Sequence, residues 1–193
     1  MIKIGLTGGI GVGKTKVAEI FSALGIPVFY ADLEAKKAYT NKAVFEKIKN
    51  SFGNSVFENE SINFIKLSNL IFSNKIDLEK LNAIIHPFVL HNFEKWVIEN
   101  NNTSYIIMES AILFETSLDS MFDKLITVIA PKEVCIDRVM KRDGVSRDMV
   151  IKRMSNQISN EIKVKKSDYS IQNTDDHLLI PQVLHIHKAL LNL

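Results

Sequence analysis

The sequence predicts an α/β fold in which a parallel sheet is flanked by helices. Short apolar runs alternate with segments of helical periodicity along the 193 residues, and a glycine-rich turn joins the first run to the first helical segment. Alternation of this kind is typical of parallel strands linked by crossover helices. The length suits one domain, and no repeat, linker or low-complexity segment divides it.

The first half of the chain predicts two strands and several helices. The predicted elements are a strand over 2–6, a helix over 14–24, a strand over 27–30, a helix over 33–50, a polar turn region over 51–63 and a helical zone over 65–99. The first helix follows from the spacing of Val17, Ile20, Phe21 and Leu24. Because proline lacks an N–H group, we expect a break or kink of the last zone at His86-Pro87.

The second half of the chain predicts three more strands. They cover 105–108, 125–130 and 169–171, and the predicted helices cover 131–142, 146–157 and 177–193. Pro131 suits the first turn of a helix and Ser146 suits the residue that caps one. The whole pattern is one sheet with helical connections.

Composition excludes several classes of protein. Since 46% of the residues are hydrophobic and 24% are charged, we expect neither a disordered nor a fibrous chain. No apolar stretch reaches the roughly 20 residues of a membrane span. The net charge of +2 does not indicate a nucleic-acid partner, and nothing indicates an obligate protein partner. Cys135 is the only cysteine, so we expect a cytoplasmic protein without an internal disulfide.

The turn after the first strand has the spacing of a phosphate-binding loop. Residues 8–15 read GGIGVGKT and fit the pattern G-x-x-x-x-G-K-[ST]. Glycine backbone N–H groups can surround phosphate oxygens, and the next helix directs its positive end at them. Lys14 supplies a cation for the phosphates, and Thr15 a hydroxyl ligand for Mg²⁺. The flanking strand and helix favour the P-loop NTPase fold over a simple glycine-rich turn.

Polar residues beyond the other strands each have two interpretations. Asp32 could accept a proton from a hydroxyl substrate or cap the next helix. Glu109 could hold a metal-bound water or lie at a solvated strand end. Arg138 and Arg142 share a helix face and could stabilise a transferring phosphoryl group or form a solvated basic face. With the loop, these residues favour a small-molecule kinase.

Motifs along the chain resemble the dephospho-coenzyme A kinase family. Residues 4–15 resemble its L-T-G-G-I-G-S-G-K-S run, Asp32 lies in a D-A-D-x-x-A-like element, and 81–87 resemble L-N-x-I-x-H-P. Further on, 111–115 resemble P-L-L-F-E, and 140–143, Gln157 and 168–173 resemble its lid and nucleotide-base region. The similarity covers residues 4–173. Tyr30, Ile65, Ala111 and Thr174 depart from the family's pattern, and Glu109 takes the place of an acidic residue usually found just before it.

The resemblance implies an enzyme that uses ATP and Mg²⁺ to phosphorylate the ribose 3′-hydroxyl of dephospho-coenzyme A, the last step of coenzyme A biosynthesis. It implies a single P-loop kinase domain over 1–193, with a nucleotide-binding core of 1–32 and 104–193, a helical acceptor-binding region of 60–100 and a lid of 138–166. The alternatives are another nucleoside, nucleotide or shikimate-type kinase, or a nucleotide-dependent regulatory switch.

The resemblance also implies the roles of the site residues. The residues expected to hold the ATP phosphates are Gly11, Val12, Gly13, Lys14, Thr15 and Lys16, and Asn173 is expected beside the adenine. Lys14, Arg138 and Arg142 are expected to stabilise the transferring phosphoryl group, and Asp32 to position or deprotonate the attacking hydroxyl. Thr15 and Glu109 are the expected metal-side residues.

Overall fold

The structure is a computed structural model that describes residues 1–193. The strands are β1 (Ile2–Thr7), β2 (Val28–Tyr30), β3 (Phe57–Glu58), β4 (Ser61–Ile62), β5 (Tyr105–Glu109), β6 (Lys124–Ile129) and β7 (Tyr169–Gln172). The helices are α1 (Lys14–Ala23), α2 (Ala31–Ala38), α3 (Lys42–Phe52), α4 (Phe64–Ser73), α5 (Lys75–Glu99), α6 (Lys132–Asp143), α7 (Arg147–Met154), α8 (Asn160–Lys165) and α9 (Leu179–Leu191). The chain divides into two compact units, 1–30 with 97–193, and 31–96.

The first unit contains a five-stranded parallel sheet in the order β2-β5-β1-β6-β7. The central strand is β1, whose Ile4 lies opposite Ile107 of β5 and Lys124 of β6. The carboxyl ends of parallel strands meet at one edge, where ligands of such sheets bind. The loop that follows β1 therefore starts at this edge. The sheet confirms the predicted α/β class.

Apolar side chains of the strands and of helices α1 and α9 form the main core of this unit. Its fully buried members include Leu6, Phe21, Ile107, Ile126 and Val183. A smaller cluster joins α6 to α7 through Ile136, Val139 and Val150. None of the helices combines the length and the apolar character that crossing a membrane requires.

The second unit is helical apart from the short antiparallel hairpin of β3 and β4. Its aromatic contacts include the edge-to-face pair Phe45 and Phe57, with ring centroids 5.2 Å apart. Asn92 on α5 donates to the Glu34 carboxylate on α2 over 2.7 Å, which ties the last helix of this unit to the first.

Two predicted helical segments are divided differently from the prediction. The helix expected over 33–50 is two helices, because Asn41 adopts an extended backbone and its side chain accepts from the N–H groups of Ala43 and Val44. The zone expected over 65–99 is interrupted at Asn74.

Of the break or kink expected at His86-Pro87, the break is wrong, since α5 continues through Pro87. Leu81, Ile85, Val89 and Phe93 recur every four residues and are all buried, so one apolar stripe is packed on both sides of the proline. This packing outweighs the roughly 3 kcal/mol that an interior proline costs a helix.

Candidate active site

The glycine-rich loop packs directly against the first turns of α6. Gly11 has a φ of +81°, and a Cβ atom there would lie 2.5 Å from the carbonyl oxygen of Cys135. Gly13 has a φ of +91° and leads into α1. Only glycine combines this backbone conformation with such a close approach. The N–H groups of Lys16 and Val17 donate to the Gly13 carbonyl, and those at the very start of α1 point toward the loop, where the helix N-terminus is suited to an anion.

Lys14 is the buried cation of the loop. Its side chain is 9% exposed, and its ammonium donates to the Gly9 carbonyl at 3.3 Å. Glu109 Oε1 lies 3.9 Å from the same ammonium and belongs to a side chain that is 5% exposed. Glu109 is therefore not at a solvated strand end, and that interpretation of it is wrong. Charges interact more strongly here than they would in water.

Tyr30 pairs with Glu109 in the register of β2 and β5. Burial raises the pKa of the Tyr30 hydroxyl, and the negative charges of Glu19 and Glu109 raise it further. The phenol therefore stays neutral at physiological pH, at the position where the family pattern has an aspartate.

Thr15 and Lys16 lie in the first turn of α1 and are exposed. The Lys16 ammonium pairs with Glu19 at 3.0 Å, and its backbone N–H donates to the Gly13 carbonyl at 3.1 Å. Both donor groups of Lys16 thus have partners within the protein, while the Thr15 hydroxyl is accessible at the start of the helix.

The structure separates the two arginines of α6. Nη1 of Arg138 is buried without a hydrogen-bond partner, 3.8 Å from where a Cβ atom on Gly13 would lie. Arg142 is one turn further on and 64% exposed, and it forms two hydrogen bonds with the Asp143 carboxylate, at 2.7 and 3.0 Å. Hydrogen bonding by Arg142 is the largest influence on Asp143 and holds its pKa low, helped by the charge of Arg153. The structure thus brings Arg138 into contact distance of the loop and pairs the Arg142 guanidinium with Asp143.

Asn173 ties the end of β7 to the loop. Its side-chain amide donates to the Val12 carbonyl at 2.7 Å, and its backbone N–H donates to the Ile129 carbonyl at 2.8 Å. A Cβ atom on Gly13 would overlap this amide. Asn173 therefore supports the loop conformation, a contact that the sequence analysis did not predict.

Asp32 belongs to the second unit. It is the second residue of α2, comes two positions after the end of β2, and is exposed. Since the helix already begins at Ala31, Asp32 is not the residue that precedes and caps it.

A buried lysine that the sequence analysis missed lies behind the loop. The Lys163 side chain is 0% exposed and its ammonium lies 2.8 Å from Glu115 Oε1. Burial lowers the pKa of Lys163; the Glu115 carboxylate opposes this, and the Lys14 charge adds to it. Lys163 stands among the exposed lysines of a polar stretch, so no residue pattern distinguishes it from them.

The residues near the loop fit Mg²⁺ as an ion held mainly by phosphates. Thr15 offers a hydroxyl and Glu109 a carboxylate, and no group of three or more His, Cys, Asp or Glu side chains forms a cage. Mg²⁺ commonly takes only one or two protein oxygens and completes its shell with phosphates and water.

Comparison with known proteins identifies relatives along nearly the whole chain. Residues 2–178 match the family model described as dephospho-CoA kinase. The dephospho-CoA kinase of Fusobacterium nucleatum is 40% identical over 174 residues, which are 90% of each chain. That of Porphyromonas gingivalis is 38% identical over 188 residues, covering 96% of this chain and 93% of the relative.

Solved structures also match nearly the whole chain. TT1252 from Thermus thermophilus superposes with a TM-score of 0.86 and 31% identity, over 97% of this chain and 96% of that one. The dephospho-CoA kinase from Campylobacter jejuni has a TM-score of 0.65 and 26% identity, over 98% and 97%. A shikimate kinase from Acinetobacter baumannii, with a TM-score of 0.53 and 14% identity over 100% and 94%, shares the fold alone.

Proposed function

Because the chain belongs to the dephospho-CoA kinase family, we propose that it transfers the γ-phosphoryl group of ATP to the ribose 3′-hydroxyl of dephospho-coenzyme A. This reaction is the last step of coenzyme A biosynthesis. Membership of the family makes the chain a phosphotransferase, so the interpretation as a nucleotide-dependent switch is set aside. The buried Lys14 ammonium at the start of α1 carries the proposal, because it is a cation held where phosphates meet backbone N–H groups.

The loop and Arg138 would supply most of the electrostatic stabilisation. Phosphoryl transfer passes through a loose transition state, in which charge spreads over the equatorial oxygens. Lys14 would neutralise charge on the β- and γ-phosphates. The buried Nη1 of Arg138 lacks a hydrogen-bond partner in the protein, and a phosphate oxygen beside Gly13 would provide one. Satisfying a buried donor in this way is favourable.

Thr15 and Glu109 would hold the metal side of the site. A Mg²⁺ ion held there would supply positive charge against the phosphates. The Thr15 hydroxyl is accessible at the first turn of α1, and Glu109 is fixed at the end of β5 in contact distance of Lys14. The carboxylate would thus orient a metal-bound water and balance the Lys14 charge.

Asp32 would position the acceptor hydroxyl and take its proton. Its carboxylate is exposed in the first turn of α2. Asp32 does not precede the helix, so a role as its cap does not explain the aspartate at this position. We propose residues 60–100 as the acceptor-binding region and 138–166 as the lid, which contains the Arg142 pair with Asp143. To contact the phosphates, the Arg142 guanidinium would have to leave Asp143.

We place this reaction in the cytoplasm. The free thiol of Cys135, which is buried, suits a reducing compartment.

The proposal is tested by offering the purified protein Mg-ATP and a panel of hydroxyl acceptors. The panel contains dephospho-coenzyme A, shikimate, adenosine and gluconate, and products are identified by mass spectrometry. We expect phosphorylation of dephospho-coenzyme A alone, giving a product identical to coenzyme A in retention and fragmentation.

The 2′- and 3′-phosphates are separated by chromatography against authentic standards, since the regiochemistry is part of the proposal. Faster phosphorylation of any other acceptor would overturn the assigned substrate. Formation of ADP without any phosphorylated acceptor would overturn the proposed reaction.

A further inference from the structure

We propose that Lys163 is a positioning residue of the phosphate site, whose buried ammonium holds the segment after β5 against the glycine-rich loop. The inference rests on the proposed function, because it concerns the site at which ATP would bind. Lys163 is not one of the residues given a role above, which are the loop residues, Glu109 and the two arginines of α6.

The Lys163 ammonium is the counter-charge of the Glu115 carboxylate, whose side chain is 14% exposed. It donates to the Ala111 carbonyl at 3.1 Å and lies 2.8 Å from Glu115 Oε1. The same oxygen accepts the Ile158 N–H at 2.9 Å, while Glu115 Oε2 is buried without a hydrogen-bond partner. Lys163 thus supplies the only full positive charge shown in contact with this carboxylate.

Stability alone does not account for an ion pair at this place. Removing two charges from water is costly, and a well-packed apolar pair of the same volume often gives equal or greater stability. What an apolar pair cannot provide is a directed donor to the Ala111 carbonyl. We therefore infer that the ion pair serves to hold the Ala111 carbonyl, and the backbone on either side of it, in a fixed position.

The Ala111 carbonyl connects the ion pair to the loop. It accepts a second hydrogen bond from Gln157 Nε2 at 3.2 Å, and Gln157 Oε1 accepts the Ile10 N–H at 2.9 Å. One continuous chain of hydrogen bonds thus runs from Lys163 through Ala111 and Gln157 to the loop. Ala111 also follows Glu109 by two residues, so the same anchor restrains the metal-side carboxylate.

Loss of the Lys163 donor should therefore shift both the loop and Glu109. A misplacement of about 1 Å at a reacting centre can cost about 100-fold in rate. The acceptor hydroxyl is not part of this hydrogen-bond chain. We expect weaker ATP binding and slower transfer, with little change in the KM for the acceptor.

The test separates positioning from simple structural support. Lys163→Met alone leaves the largely buried Glu115 carboxylate without its counter-charge and is expected to lower stability. The informative variant is Lys163→Met with Glu115→Gln, because Met fills the volume of the lysine stem and Gln keeps an acceptor for the Ile158 N–H. Gln157→Met breaks the same chain at its other end without touching the ion pair. Lys166→Met is the matched control, since that lysine is 53% exposed three residues further on.

Thermal unfolding, the Kd of Mg-ATP by calorimetry without acceptor, and kcat are measured for each variant. For the double variant we expect a thermal midpoint near that of the wild type, a Kd for Mg-ATP raised about tenfold and a kcat lowered at least about tenfold. Gln157→Met should also raise the Kd for Mg-ATP about tenfold. Lys166→Met should leave both the Kd for Mg-ATP and kcat unchanged.

A Kd for Mg-ATP equal to the wild-type value in the double variant would overturn the role of Lys163, even if Gln157→Met raised the Kd. If the wild type binds Mg-ATP but does not phosphorylate dephospho-coenzyme A, the proposed function fails, and the Kd values still decide the role of Lys163.

Discussion

The side-chain amide of Asn173 donates a 2.7 Å hydrogen bond to the carbonyl of Val12, which joins the end of the last strand to the middle of the glycine-rich loop. The two residues are 161 positions apart in the chain. Parallel strands bring their carboxyl ends to one edge, so the fold places β7 where it can support the loop after β1. Loop geometry thus depends on a residue that no phosphate-loop pattern includes.

Asn173→Leu should therefore weaken ATP binding without unfolding the protein. Losing the hydrogen bond leaves the Val12 carbonyl without this donor and should lower the free energy of unfolding by about 1–2 kcal/mol. We expect the Kd of Mg-ATP, measured by calorimetry, to rise about tenfold because the loop loses its support.

Gln182→Leu is the control for this prediction. The Gln182 side chain makes two 2.9 Å hydrogen bonds with the backbone of Gln172, at the same strand end but away from the loop. It should cost similar stability and leave the Kd of Mg-ATP unchanged. An equal effect of both variants on ATP binding would contradict a specific role of Asn173.

Lys14→Ala should lower kcat/KM for ATP by at least about 10³, a loss comparable to the removal of a single transition-state charge. The variant removes the buried ammonium that lies between the Gly9 carbonyl and Glu109. Lys75→Ala, which removes an 83% exposed lysine paired with Glu79, should leave turnover unchanged. Steady-state kinetics at saturating acceptor checks both, and unaltered turnover of Lys14→Ala would refute the phosphate-loop assignment.

The sheet could be predicted from the sequence because each of its strands is a short apolar run with a clear boundary. All five strands start and end within one residue of the prediction. The hairpin of β3 and β4 and the helix α8 were not predicted, because polar residues dominate both segments and their order comes from turns and caps.

Some residues of the candidate site, like the strands, are marked by a local sequence pattern, and others are not. Lys14 and Thr15 are marked by the local spacing of the loop, whereas the contacts of Asn173, Gln157 and Lys163 join segments far apart in the chain. At Pro87 the apolar stripe of α5 outweighs the local effect of proline, so the helix is not broken there. Local sequence therefore identifies candidate binding residues, whereas the contacts between them depend on tertiary packing.

Tyr105→Phe should change the dependence of stability on alkaline pH. The Tyr105 hydroxyl is buried and lies 2.6 Å from Nδ1 of His187, and burial raises its pKa. Below pH about 10 it is protonated in both the folded and the unfolded state. As the pH rises above that value, the unfolded chain loses the proton first, so the free energy of unfolding falls by up to about 1.4 kcal/mol per pH unit.

The phenylalanine variant lacks the hydroxyl group, so this position no longer titrates. At pH 8 it should be about 1 kcal/mol less stable than the wild type, through loss of the hydrogen bond to His187. Urea unfolding between pH 8 and about 11 should show this difference shrinking as the pH rises. Parallel stability curves over the whole range would show that Tyr105 does not titrate in the way its burial implies.

Pro87→Ala should raise the stability of the protein. Pro87 is exposed within the continuous helix α5, so alanine removes no buried contact and restores an N–H group to the helix. Relief of the proline penalty, about 3 kcal/mol, exceeds the roughly 1 kcal/mol by which proline restricts the unfolded chain. We expect a net gain of about 1–2 kcal/mol in chemical unfolding. A loss of stability would instead mean that α5 needs the proline geometry.

Asp32→Asn should lower kcat by about 10²–10³, near the lower range for loss of a general base. Because the transition state is loose, positioning and charge are expected to matter more than proton removal, so this loss should be smaller than that of Lys14→Ala. Asp148→Asn is the matched control, since Asp148 is also exposed in the first turn of an eight-residue helix. It reproduces the loss of a carboxylate near a helix start, and we expect it to leave kcat unchanged. Steady-state rates with dephospho-coenzyme A decide the matter: wild-type turnover of Asp32→Asn with an unaltered acceptor KM would remove Asp32 from the mechanism.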